Sequence, residues 1–343
     1  MRAAYGHEQQ VTELEIRYLS GHDVEALALD HAAILGAVEL ALHAQGTGQV
    51  VLEPREHLVA DAAFNGHFNL LRAYVAPLGV AGVKVVGDYV DNYKLGLPSE
   101  LALLTLLDPR TGAPRAILDA TAITEWRTGA MTALGGRLLA RSGARVLGHV
   151  GARGTAFANV TLIDHVLDLD EIRVTSARPE SRRAFGERLR AALDTPVRVV
   201  DTVEEAVRDA DVVVEATRLP APEPILRTEW IAPGALVVPY GTMSAVELSL
   251  TDIMDKVYVD DWGQCRQGRF GALRAHVERG LVTEDSIAGE LADVVAGTRA
   301  GREREDERIL FWHRGLATTD IALGQAILDR AVEREAGVVL PYR

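Results

Sequence analysis

Residues 145–156 read RVLGHVGARGTA: an apolar run of strand length, a turn with glycines at 151 and 154, and the small residues that open a helix. A dinucleotide-binding turn needs one glycine for the tight bend after the first strand. It needs a second where backbone must approach a pyrophosphate, which then rests on the N-terminus of the following helix. Gly151, Gly154, Thr155 and Ala156 follow that pattern, while Arg153 occupies the place of the usual second glycine. Its side chain need not block binding if Gly154 takes over the close approach, and its guanidinium can itself contact phosphate. Such a turn alone is a weak signal, equally open to an ordinary strand-to-helix loop in a domain without a cofactor. Its surroundings strengthen it. Between Arg145 and Asp260 the short β-branched runs EIRVTS, VRVV, DVVVEAT, ALVVPYG and KVYVDD are interleaved with the helical patterns FANVTLIDHVL, ESRRAFGERLRAAL and TVEEAVRDA. That succession predicts an α/β domain on a Rossmann-like, doubly wound parallel sheet.

The chain before this region is patterned differently. Apolar residues at spacings of three and four predict one amphipathic helix over Asp23–His43, capped by Ser20 or Asp23. Phe68–Val75, Gly82–Gly87 and Leu101–Asp108 read as strands of a mixed sheet, with a hairpin turn at 108–112. Helical spacing returns over Ile123–Leu139, leading straight into RVLGHV, and again over Thr318–Glu335. At 343 residues the chain exceeds the roughly 250–300 at which single cores stop growing, so two domains are expected. The stretch 297–308, GTRAGREREDER, reads as a solvated loop or helix end.

A formal charge of −13 on a mixed-sign surface with 5% aromatic residues argues against nucleic acid or an anionic membrane as partner and favours a small molecule. The single cysteine, Cys265, excludes an internal disulfide, and MRAAYGHEQQVTELE at the N-terminus lacks a signal peptide's apolar core. No apolar run nears the ~20 residues that span a bilayer. A soluble, cytoplasmic protein is expected. The ten histidines show no metal spacing, and Asp260, Asp261 and His276 lack a third ligand at a recognisable interval, so no metal is expected. Cys265 reads as a buried small residue and not as a nucleophile.

Lys84 is the side chain that asks for an explanation, because it sits inside the apolar run VAGVKVVG, where an unpaired ammonium would be costly. Around it, in chain order, stand Gly82-Val83-Lys84, Gly96-Leu97-Pro98, Asp108, Thr111-Gly112 and Pro114, Leu118-Asp119, and Thr124, Arg127-Thr128 and Ala130. After the glycine turn come Thr217, Glu229-Trp230, Pro233-Gly234, Gly301-Arg302, Asp306-Glu307, Phe311, Gly315-Leu316-Ala317 and Asp320. As a set these motifs resemble the ornithine cyclodeaminase and mu-crystallin family over nearly the whole chain.

The resemblance implies a discontinuous α/β substrate-binding and dimerisation domain over 1–127 and 318–343, a Rossmann-like dinucleotide-binding domain over 128–317, and a homodimer formed through the first-domain sheets. The implied chemistry is hydride transfer between C4 of a nicotinamide and the α-carbon of an amino or imino acid. Arg55, Lys84 and Arg127 would meet the substrate carboxylate and reacting nitrogen, with Lys84 and Arg127 catalytic. Thr242 or Ser244 would orient substrate or a water. Thr128, Gly151, Arg153, Gly154, Thr155, Ala156, Ser176, Arg178, Thr217 and Asp320 would hold the cofactor, with Asp320 near the nicotinamide edge. No acid ends the second strand of the dinucleotide fold, where NAD usually finds one; Ser176 and Arg178 stand there and favour NADP over NAD.

One departure bears on the reaction. Ornithine-cyclising members carry an Asp in the segment that is Pro239–Leu248 here, PYGTMSAVEL, which has none. An imine reductase or amino-acid dehydrogenase needs no such acid. A cyclodeaminase would need another group to handle the distal amine, and a crystallin-like ligand-binding protein without turnover is the third reading, favoured by Arg153.

Overall fold

The computed structural model describes residues 13–219, 221–267 and 270–343, folded around two eight-stranded sheets. The first contains β1 (Glu15–Leu19), β2 (Val50–Leu52), β3 (Glu56–Leu58), β4 (Gly66–Val75), β5 (Val80–Tyr89), β6 (Glu100–Leu107) and β7 (Pro114–Asp119). Strands β4 to β7 form an antiparallel meander, and β1 joins β7 in parallel, so the sheet is mixed as its sequence predicts. Along β5 the residues Val80, Gly82, Lys84 and Val86 are buried, while the intervening ones are half-exposed. This period of two puts Lys84 on the covered face, opposite Leu71 of β4 and Leu104 of β6. The helix Ala317–Glu333 lies across that face, against β4, β5 and β6.

The second sheet contains β8 (Val146–Val150), β9 (Glu171–Thr175), β10 (Val197–Val199), β11 (Val212–Glu215), β12 (Leu236–Pro239), β13 (Lys256–Val259), β14 (Gly289–Glu290) and β15 (Ile309–Trp312). Its order is β10-β9-β8-β11-β12-β15-β13-β14, and every pair is parallel. The chain winds to one side from β8 through β9 and β10, then crosses to β11 on the other. A doubly wound sheet opens its ligand crevice at that switch, beyond the carboxyl ends of β8 and β11. The last strand, β16 (Val338–Pro341), returns to pair antiparallel with β1.

The helix Thr121–Leu139 joins the two sheets without a break, so a boundary drawn between 127 and 128 falls within one rigid element. The single helix expected over 23–43 is two. Gly21–Ala26 is closed by a Ser20–Asp23 capping box, and His31–Gly46 starts afresh because the Asp30 carboxylate accepts from Ala33 N–H at 2.8 Å, with Ala28 at φ 47° in the bend between them. The segment 297–308 is no solvated loop throughout. Arg302 donates to the carbonyls of Leu139 at 2.9 Å and Gly234 at 3.0 Å, and Glu307, 1% exposed, pairs with Lys256 at 3.3 Å. Its charges staple the Rossmann-like sheet to the joining helix. Residues 1–12, most of the stretch read for a signal peptide, lie outside the described residues. No helix among the described residues is long and apolar enough to cross a membrane.

Candidate active site

Three elements converge on one buried carboxylate. Lys84, 1% exposed on β5, donates to Asp320 Oδ1 at 2.5 Å and to Thr124 Oγ1 at 3.1 Å. Arg127 Nε donates to the same oxygen at 3.0 Å. Thr124 and Arg127 are three apart on the joining helix and so share a face, while Asp320 sits in the first turn of the helix Ala317–Glu333. Asp320 stands between the two cations. Its Oδ2 has no hydrogen-bond partner among the described residues, and neither terminal nitrogen of Arg127 is hydrogen-bonded there. Arg127 is held against Gly315, which has φ 89° and whose Cβ, if it had one, would overlap Nη1.

Two cations on one anion leave an uncompensated positive charge in a buried place, which is costly unless an anionic ligand completes it. Burial pushes the Lys84 ammonium down to about 8; Asp320 works against that shift and Arg127 adds to it. A proton donor so tuned can act near neutral pH.

Arg55, between β2 and β3, approaches this cluster from the other side of Gly315. Its Nη2 donates to the carbonyls of Arg314 at 2.7 Å and Gly315 at 3.1 Å, so one arm of the expected carboxylate fork is held by backbone. Its Nε is buried without a partner. Burial, then the charges of Arg314 and Arg127, lower its pKa to about 10. Thr242 is tied through its backbone, N–H to the Thr217 carbonyl at 3.2 Å and carbonyl to Gly271 N–H at 2.9 Å, with its side chain half-buried. Ser244 is turned away, its hydroxyl accepting from Ala275 N–H at 3.1 Å.

At the mouth of the second sheet Gly151 takes φ 119° and donates its N–H to Thr175 at 2.9 Å; a Cβ there would stand 2.8 Å from the Ala216 carbonyl. Only glycine lets the turn lie between the ends of β9 and β11. Gly154, at φ 55°, faces open space. Thr155 heads the helix Ala156–Val166 but bonds Tyr240 Oη at 2.8 Å instead of capping it, which leaves the first-turn N–H groups for an anion. Exposed Arg153 reaches Ser181 Oγ at 3.3 Å, in the first turn of the helix Pro179–Arg190. Ser176 donates to the Arg178 carbonyl at 3.3 Å, and the exposed Arg178 side chain forms no ion pair among the described residues. Arg182 is committed to Asp201. Thr128 donates to the Thr124 carbonyl at 2.7 Å, inside the joining helix. These features fit a dinucleotide: a tight turn, an uncapped helix start and unpaired basic groups beyond β9.

Several residues here were not singled out from the sequence. Glu215 ends β11 fully buried; its Oε1 accepts from Thr217 N–H at 2.7 Å and Oγ1 at 2.5 Å, while Oε2 has no partner among the described residues. Burial raises its pKa to about 7 against those hydrogen bonds. Tyr240 stacks on His313 with ring centroids 4.9 Å apart, and His313 Nε2 lies 2.9 Å from Thr132 Oγ1. Burial, followed by Arg127, holds His313 neutral, its pKa down to about 3. The available signal was a lone Glu in an otherwise apolar parallel strand, where a charge has no solvent on either face.

The sequence pattern of the ornithine cyclodeaminase/mu-crystallin family matches residues 16–335. The chain belongs to this family. Within it, the alanine dehydrogenase of Archaeoglobus fulgidus is 29% identical over 334 residues, 96% of this chain and 99% of that protein. The structure of Thermococcus litoralis Δ1-pyrroline-2-carboxylate reductase in complex with NADH and L-proline superposes with a TM-score of 0.88 at 28% identity, covering 94% of this chain and 99% of that one. An archaeal alanine dehydrogenase dimer with bound NAD gives 0.88 at 26% identity, over 96% and 100% of the two chains.

Proposed function

We propose that this protein is an NAD(P)-dependent oxidoreductase that reduces the C=N bond of a 2-imino acid, or oxidises the matching amino acid. The observation that carries this reading is the Lys84–Asp320–Arg127 cluster with its unused valences. Arg127's terminal nitrogens are free for a carboxylate, Asp320 Oδ2 for a nitrogen-bound proton, and Lys84 for proton transfer. The Gly151 turn and the start of the helix Ala156–Val166 would hold NAD(P)H, which would supply the hydride for the α-carbon. As the C=N electron pair moves onto nitrogen, Lys84 Nζ gives that nitrogen its proton, and Asp320 steadies the charge on both. Related proteins are an alanine dehydrogenase and a pyrroline-2-carboxylate reductase bound to NADH and proline, which act at the same kind of carbon. The cyclodeaminase reading is the weaker one, because 239–248 holds no Asp to meet a distal amine.

Three finer assignments belong to this reading. Arg178 and Ser176 beyond β9 favour NADP. Tyr18, Leu101 and Leu103, 41–45% exposed on the open face of the first sheet, favour a homodimer through that sheet, and the similar archaeal alanine dehydrogenase is a dimer. The single, buried cysteine suits a cytoplasmic enzyme. The test is oxidation of NADPH and NADH with 2-oxo acids plus ammonia or methylamine, and with cyclic imines. Turnover of at least one is expected, with NADPH the tighter cofactor and Arg178→Asp reversing the preference. Ammonia release from ornithine without net cofactor reduction, or no turnover at all, would refute the reductase assignment.

A further inference from the structure

We propose that a small cavity beside Arg55 is a second anion subsite, and that the substrate is therefore an imino acid whose side chain ends in a carboxylate. This rests on the reductase reading for the identity of the reacting carbon, and on separate observations for the subsite. The cavity, of about 70 Å³, is lined by Pro54, Arg55, His57, Gln264, Gln267 and Arg314. A single water needs only about 10–15 Å³, so a carboxylate has room.

Its lining leaves buried polar atoms unmet, His57 Nδ1 among them. Gln264 is 5% exposed, and its Nε2 has no hydrogen-bond partner among the described residues; the same holds for Arg55 Nε. Buried donors are nearly always satisfied, so two unmet ones around one small space point to a ligand that only accepts. Arg314 is fixed there, with Nη1 donating to the carbonyls of Gln264 at 2.5 Å and Gln267 at 2.6 Å. His57 is held neutral, its pKa pushed to about 4 first by burial and then by Arg55, and so offers the cavity no counter-charge.

The charges of the neighbourhood agree. Arg55 feels Arg314, Arg127, Asp260 and Asp320, and Lys84 feels Asp320, Arg127 and Arg55. Among the described residues that act on Arg55 and Lys84, with those two included, four cations (Lys84, Arg127, Arg55, Arg314) thus face two carboxylates (Asp260, Asp320), two positive charges more than negative. Asp260 is already engaged, its Oδ2 accepting from Arg314 and Gly315 N–H, each at 2.7 Å, and its Oδ1 from Asp261 N–H at 2.9 Å. A monocarboxylic imino acid supplies one negative charge and a dicarboxylic one supplies two. The subsite also adjoins the reaction centre: Arg55 grips the carbonyl of Gly315, the residue against which Arg127 packs.

The test has a kinetic and a binding arm. With ammonia and NADPH or NADH, kcat/KM for oxaloacetate or 2-oxoglutarate should exceed that for pyruvate and 2-oxobutyrate by at least about 100-fold, as for a site whose buried polar groups go unpaired with the wrong substrate. Gln264→Leu should shrink that ratio, and the isosteric Gln264→Glu should abolish it. In calorimetric titrations of the cofactor-loaded protein, succinate should bind more tightly than butyrate, and the advantage should vanish in either variant. Equal binding of succinate and butyrate overturns the subsite, whether or not any imine turns over. Succinate selectivity without turnover of any imine keeps the subsite and removes the reductase reading. Inorganic phosphate or 3-phosphonopropionate binding more tightly than succinate would replace the carboxylate by a phosphate group and overturn the dicarboxylate assignment.

Discussion

In the first sheet β5 alternates buried and half-exposed residues, whereas in the second sheet β11, β12 and β15 are buried along their whole length. The alternating sheet has one covered face, and strand register alone aims Lys84 on that face at Asp320 and Thr124. The fully covered sheet has no free face, so it meets ligands only at its strand ends, through backbone and the turn at Gly151. On the proposed reading, side-chain chemistry and cofactor recognition fall to different sheets, and changes in one should leave the other's property intact.

The largest expected effect is on the first sheet. Lys84→Ala should slow imine reduction by ~100- to 10,000-fold, the usual loss of a positioned proton donor, while dinucleotide binding measured by fluorescence is unchanged. In the unmodified protein the reductive rate should fall as pH rises through about 8, where Lys84 beside Asp320 and Arg127 gives up its proton. Full activity in Lys84→Ala, or loss of cofactor binding with it, would break the division between the sheets.

Next comes Glu215, at the end of β11. Its carboxyl keeps a proton up to about 7 when folded, against 4.5 in a free chain, so the folded state binds the extra proton between those values. Stability is therefore lost as pH rises through that window, on the order of 3 kcal/mol in full. Glu215→Gln should unfold in urea at higher concentration than the unmodified protein at pH 8, with the gap closing by pH 5. A gap that does not change with pH would show that Glu215 does not titrate there.

Gly151→Ala should cost ~1–3 kcal/mol of backbone strain and abolish dinucleotide binding, because the turn must open away from Ala216. Retained cofactor affinity would mean the pyrophosphate is held elsewhere. The smallest effect on chemistry is expected from Leu103→Glu on the open face of the first sheet. It should shift sedimentation from dimer to monomer while sparing cofactor binding, and an unshifted profile would place the dimer contact on another surface.

Much of this division was legible in the sequence. The parallel sheet followed from β-branched runs separated by amphipathic helices, and Lys84 declared itself by being charged in an apolar strand. The start of the helix at Asp30 was hidden because the hydrophobic spacing runs on through a break made by one capping carboxylate. Arg302 and Glu307 looked solvated because a run of charges carries no sign that its members reach carbonyls of other elements. Asp320 was recognised only as part of a motif. Its pairing with Lys84 joins residues 236 apart, and nothing local to either position encodes a contact of that range.

That separation also sets an order of events during synthesis. Every strand of the Rossmann-like sheet lies between Val146 and Trp312, so it leaves the ribosome before Asp320 does. Lys84 and Arg127 are made earlier still, and until the last helix arrives the nascent chain holds two cations without the carboxylate that joins them. A chain ended between residues 313 and 316 would carry every strand of the Rossmann-like sheet but not Asp320. Arrival of the helix Ala317–Glu333 is thus the step that completes the charge cluster.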